Sequence, residues 1–141
     1  MLTRQNEPSS PELWIPLDSI VAPPQLPFYS KLSELLDLIS FGERVRELCS
    51  PYYSSTSNGR PPVDPEVYFK MLMVGFYENI GSERGISLRC ADSLGIRSFL
   101  RYGLTDRTPE HSTLSVIRGR LPDAVSIRCS RLFLARFATP V

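Results

Sequence analysis

The chain has 141 residues, 42% of them hydrophobic and 22% charged, with a formal net charge of +1. Such a chain supports one modest globular unit and is short for two independent ones. No apolar run approaches the roughly 20 residues of a membrane span, and residues 1–10 lack the charged and apolar regions of a secretory signal, so a cytoplasmic address is expected.

The charge is unevenly spread. Residues 1–81 hold six basic groups against ten acids, net −4, whereas residues 82–141 hold ten arginines against five acids, net +5. A polyanion is therefore expected to meet the C-terminal half. Every cation there is Arg, whose planar fork suits phosphates and guanine edges.

Taken in order, residues 1–27 carry Pro8, Pro11, Pro16, Pro23, Pro24 and Pro27, a density that forbids a long helix and predicts an extended arm. Leu13, Trp14, Ile15, Leu17, Ile20 and Val21 are too many apolar groups for a pure linker, so part of the arm is expected to dock on the domain or on a second copy. Residues 28–58 read as two short helices, about Ser30–Ile39 and Gly42–Cys49, followed by a mobile linker rich in Ser, Asn, Gly and Pro. Residues 59–122 form the main module. Asp64-Pro65 marks the start of a helix that is apolar around most of its circumference, with Gly81 as its stop. Ser82 caps a helix over Glu83–Ser93, with Ile86, Cys90 and Leu94 inward. A turn at Leu94-Gly95 leads into Ile96–Tyr102, which Gly103 ends. Thr108-Pro109 then opens Pro109–Leu121, burying Leu114, Ile117 and Leu121. Residues 123–141 give a last amphipathic helix with Val125, Leu132, Leu134 and Phe137 apolar and Arg128, Arg131 and Arg136 basic. No strand-like alternation and no internal repeat occur, so the fold is expected to be all-α, a small multi-helix domain with a helix-turn-helix-like arrangement.

The wet face of Pro109–Leu121 carries Ser112, Thr113, Ser115, Arg118 and Arg120. Small hydroxyls followed one or two turns later by Arg suit a helix that enters the major groove of DNA. Arg84, Arg89, Arg97 and Arg101 on the preceding helices are candidates for phosphate contact. Other chemistry finds little support. Cys49, Cys90 and Cys129 are widely spaced and never paired as C-x-x-C, His111 stands alone, and together they fit no zinc pattern. The glycines include no phosphate-cradling Gly-Lys-Ser/Thr run, and no Tyr is accompanied by an Arg, His and Lys set that would make it a nucleophile. No metal, cofactor, membrane or small-molecule substrate is expected.

Three stretches carry a resemblance: Gly59-Arg60-Pro61-Pro62-Val63-Asp64-Pro65, Lys70-Met71-Leu72-Met73-Val74-Gly75-Phe76 and Gly81-Ser82-Glu83-Arg84. A later one is Thr108-Pro109-Glu110-His111-Ser112-Thr113-Leu114-Ser115-Val116-Ile117-Arg118. In this order they resemble the N-terminal, InsH-like domain of bacterial DDE transposases of the insertion-sequence-five type, where an aspartate more often stands in the place of Glu110. The likeness covers about Gly59 to Pro122. It implies a helix-turn-helix-like module that recognises the terminal inverted repeats of the element, with double-stranded DNA as partner and a nucleoid-associated location when bound. In the family a catalytic domain with three metal-binding carboxylates follows, so this chain is expected to be truncated before it and to bind without strand transfer, a two-metal chemistry. Two other readings stay open at this level. One is a self-association module, or an inhibitor that joins full-length transposase; the other is a decayed remnant.

Overall fold

A computed structural model describes residues 27–53 and 62–137, the side chains of residues 135–137 excepted. The arm, most of the Ser/Asn/Gly/Pro linker and residues 138–141 lie outside the described residues. Those described are all-helical: α1 Pro27–Leu38, α2 Phe41–Cys49 with a 3-10 turn at Ser50–Tyr52, α3 Pro65–Tyr77, α4 Glu83–Asp92, α5 Leu94–Phe99, α6 His111–Arg120 and α7 Asp123–Phe137.

α3 is the centre. It packs against α2 on one side and α4 on the other; α4 in turn carries α5 and α6, while α1 touches α2 and α5, and α7 lies along α2. One apolar core joins them, with Phe41, Val45, Met71, Val74, Ile96 and Leu114 fully buried. The crossing of α3 and α4 is close, because a Cβ on Gly75 would sit 2.5 Å from Ile86 Cδ1.

Two helix starts follow their local signals. The Asp64 carboxylate accepts from the Glu66 N–H at 2.9 Å ahead of Pro65, and Ser82 Oγ accepts from the Gly85 N–H at 3.0 Å. Each satisfies an N–H that has no partner inside its helix.

The stops differ from expectation. α3 ends not at Gly81 but in a Schellman turn with Asn79 left-handed at φ 56°, where Ile80 N donates to Gly75 O at 2.8 Å and Asn79 N to Phe76 O at 3.4 Å. α5 ends the same way on Arg101, φ 64°, with Tyr102 N donating to Arg97 O at 2.8 Å, so Gly103 is not its terminator. The turn between α1 and α2 uses Ser40, φ 54°, while Gly42 lies inside α2. There a Cβ would run into the Glu66 carboxylate, so this glycine makes room for it.

Other boundaries shift as well. Ser93 alone separates α4 from α5, its Oγ accepting from the Ile96 N–H at 3.3 Å, so Leu94-Gly95 is the first turn of α5 and Leu94 is half exposed. Thr108 and Pro109 are buried rather than capping α6. The Pro109 carbonyl accepts from Ser87 Oγ on α4 at 3.0 Å, and α6 begins two residues later. On α7 the buried stripe is Val125, Cys129 and Phe133, spaced by four, whereas Leu134 is exposed.

Candidate nucleic-acid interface

The amphipathic pattern of α6 places Leu114 and Ile117 in the core and leaves Ser112, Ser115, Val116, Arg118, Gly119 and Arg120 exposed, with Thr113 half-buried. This face does not stand alone. Glu83, in the first turn of α4, reaches across to α6. Its Oε1 pairs with Arg118 at 2.9 Å, while its Oε2 accepts from Ser115 Oγ. One carboxylate thus holds a hydroxyl and a guanidinium one turn apart, with Arg118 still 69% exposed. Tyr68 of α3 is buried nearby; burial, and then the negative field of Glu83, push its hydroxyl pKa up.

The end of α6 is fixed differently. Arg120 lies over the ring of Tyr53, 5.8 Å from its centroid. The Tyr53 hydroxyl is buried with no hydrogen-bond partner among the described residues, and burial pushes its pKa up to about 12. Stacking leaves the Arg120 N–H edges free to bond elsewhere, which makes it a shaped donor. Arg84, next to Glu83, is exposed and has no partner among the described residues.

The other three arginines are engaged. Arg89 donates from Nε to Glu78 Oε1 at 2.9 Å, and Tyr29 Oη donates to the other oxygen of Glu78 at 3.0 Å, which ties α1, the end of α3 and α4 together. Arg101 pairs with Asp37 of α1 at 2.9 Å while staying exposed. Arg97 is an internal brace. Its guanidinium donates to the carbonyls of Ala91 (3.3 Å), Gly103 (2.8 Å), Leu104 (3.4 Å) and Asp106, and so folds the loop between α5 and α6.

Ser112, Thr113, Ser115, Arg118 and Arg120 therefore share α6, with Arg84 on the helix whose first turn organises it, whereas Arg89, Arg97 and Arg101 serve contacts between elements. Sequence reasoning missed Glu83 as the organiser, because its position in a first helical turn already accounts for a carboxylate there. It also passed over Val116, 57% exposed on the same face, and Gly119, where a Cβ would meet nothing within 4 Å. A helix-interior glycine costs about 1 kcal/mol relative to Ala. No neighbour among the described residues requires it.

Burial pushes the thiols of Cys49 and Cys90 up to about 12, and Cys129 upward too, so none is a reactive thiolate near neutral pH. Among the described residues no three His, Cys, Asp or Glu side chains are grouped to hold a metal ion, and no helix is long and apolar enough to cross a membrane.

Fold and surface define a small helical domain that presents an Arg- and hydroxyl-bearing helix braced by a carboxylate. The sequence model of the transposase domain family DUF772 matches residues 16–120, and the chain belongs to that family. Comparison with curated proteins and with solved structures gave no match.

Proposed function

We propose that this transposase domain binds duplex DNA by laying α6 in the major groove. The observation that carries the reading is the braced face of α6, where Glu83 holds Ser115 and Arg118 together within a transposase-family domain. In this reading Arg118 and Ser115 meet base edges, Ser112 and Thr113 enter first, and Val116 offers an apolar contact to thymine methyl groups. Gly119 lets the helix backbone approach the duplex closely. Arg84 and Arg120 flank the helix and take phosphates.

Arg89 and Arg101 reach phosphates only by exchanging a carboxylate partner for one, and Arg97 stays committed to its loop.

The sites recognised are the terminal inverted repeats of an insertion sequence of the insertion-sequence-five type, with the domain positioning DNA rather than cutting it. The resemblance of Asp64-Pro65, Gly81-Ser82-Glu83-Arg84 and Thr108–Arg118 to the InsH-like domain supports that choice of site. The test is fluorescence anisotropy of labelled duplexes, terminal repeat against scrambled sequence, over a salt series. Wild-type chain should prefer the repeat, and Arg118→Ala should lose that preference, since one good base contact supplies about 1–3 kcal/mol of discrimination. Equal affinity of the wild-type chain for both duplexes would refute the reading.

A further inference from the structure

Away from α6 the molecule has a second surface that DNA binding does not use. The sequence pattern predicts an α3 that is apolar around most of its circumference, as a central helix would be, yet Phe76 is 73% exposed, and Leu134 of α7 stands beside it half exposed. Between the two helices lies an apolar groove of about 190 Å³, lined chiefly by Phe41, Phe69, Met73, Phe76, Phe133 and Leu134. An open apolar patch of this kind needs a cover. Its volume is below the roughly 300–1,000 Å³ of small-molecule pockets. It suits one large side chain.

We propose that the groove receives Trp14 of the chain's own N-terminal arm. The arm joins the domain at Pro27, beside the groove: the Phe28 ring lies 4.9 Å from that of Tyr77, which is 6.0 Å from that of Phe133 in the groove wall. Residues 15–26 span up to roughly 40 Å when extended, so reach imposes no limit. Charge agrees. The arm carries Glu7, Glu12 and Asp18 against Arg4 alone, while α7 presents Arg128 and Arg131, both exposed and without partners among the described residues. A tethered segment acts at an effective concentration in the millimolar range, which favours the chain's own arm over that of a second copy.

Trp14 is the only Trp in the chain, so its fluorescence reports the arm directly. In the full-length chain its emission is expected to be blue-shifted and shielded from acrylamide at every protein concentration. Phe76→Glu, a change at an exposed rim position, should move the emission to that of water-exposed indole and remove the shielding, with helical circular dichroism unchanged. Three results would overturn the proposal: water-exposed emission in the wild-type chain, emission indifferent to Phe76→Glu, or shielding that appears only as a dimer forms in sedimentation. The last would give the groove to a second copy.

Discussion

Two glutamates each hold a pair of partners, and they teach opposite lessons. Glu66 sits in the core, where Arg46 Nη2 approaches its Oε2 at 2.5 Å and Lys70 Nζ its Oε1 at 3.2 Å. Lys70 is 1% exposed, donates to the Phe99 carbonyl at 3.1 Å and lies 5.0 Å from the centre of the Phe99 ring. Glu83 makes a similar pair of contacts at the surface, to Ser115 and to an Arg118 that water still reaches. Removing one member of the first set strands a charge in a low dielectric, which typically costs 3–5 kcal/mol. Removing a member of the second costs 0–1 kcal/mol. The buried set spans α2, α3 and α5 and is scaffold; the exposed set orients a surface that is free to act.

Lys70→Met separates the two most sharply. It should lower unfolding free energy by about 3 kcal/mol, because Glu66 keeps Arg46 but loses its buried partner and the Phe99 carbonyl loses its donor. Urea denaturation measures this, and a loss below about 1 kcal/mol would break the comparison. Gly42→Ala attacks the same network sterically. The added Cβ must displace the Glu66 carboxylate, and a loss of about 1–3 kcal/mol is expected in the same assay.

The buried half also has a titration of its own. Cys49 and Cys90, ordinarily near 9.0, and Tyr53, ordinarily near 10.0, are each pushed up to about 12 in the fold. A folded-state value raised above the unfolded one gives stability that is complete below the unfolded value and lost above it. Stability should therefore hold up to about pH 9 and fall progressively toward pH 12, with a shallower fall in Cys90→Ala. Thermal melts across that range test it, and a flat profile would count against the packing described.

The smallest effect on stability belongs to the exposed set. Glu83→Gln should change unfolding free energy by less than about 1 kcal/mol. In the anisotropy assay it should raise affinity for duplexes of any sequence while narrowing the preference for the repeat, since Arg118 loses both its competing carboxylate and its brace. A stability loss as large as that of Lys70→Met would show Glu83 to be scaffold too.

The sequence discloses these two sets unequally. Caps at Asp64-Pro65 and Ser82 are written in neighbouring residues, so the starts of α3 and α4 are legible, as are the all-helical class and the Leu114, Ile117 and Leu121 face of α6. Stops are misread because Gly81 and Gly103 are the better left-handed formers by type, yet tertiary packing places Asn79 and Arg101 in that conformation. Pro109 looks like the opening of a helix, but burial against α4 takes precedence and its carbonyl answers Ser87. The polar face of α6 follows from periodicity alone. Its brace does not, since Glu83 and Arg118 are 35 positions apart in the chain, and no local pattern announces a pairing of that range. The burial of Lys70 is equally hidden, although Glu66 four residues earlier on the same helix is the spacing at which such a pair forms.

The central claim, that the face built on α6 and the first turn of α4 grips DNA, is tested most directly by counting the phosphates it neutralises. The dependence of log affinity on log salt should be compared between the wild-type chain and Arg84→Ala/Arg118→Ala/Arg120→Ala, with helical content checked in both. Each phosphate that is no longer neutralised should reduce the slope by about 0.9, so a triple variant that gives up the phosphate contacts of Arg84 and Arg120 is predicted to be shallower by roughly two units. A triple variant that folds normally and binds with an unchanged slope would place the DNA, if it binds at all, on another face of the molecule.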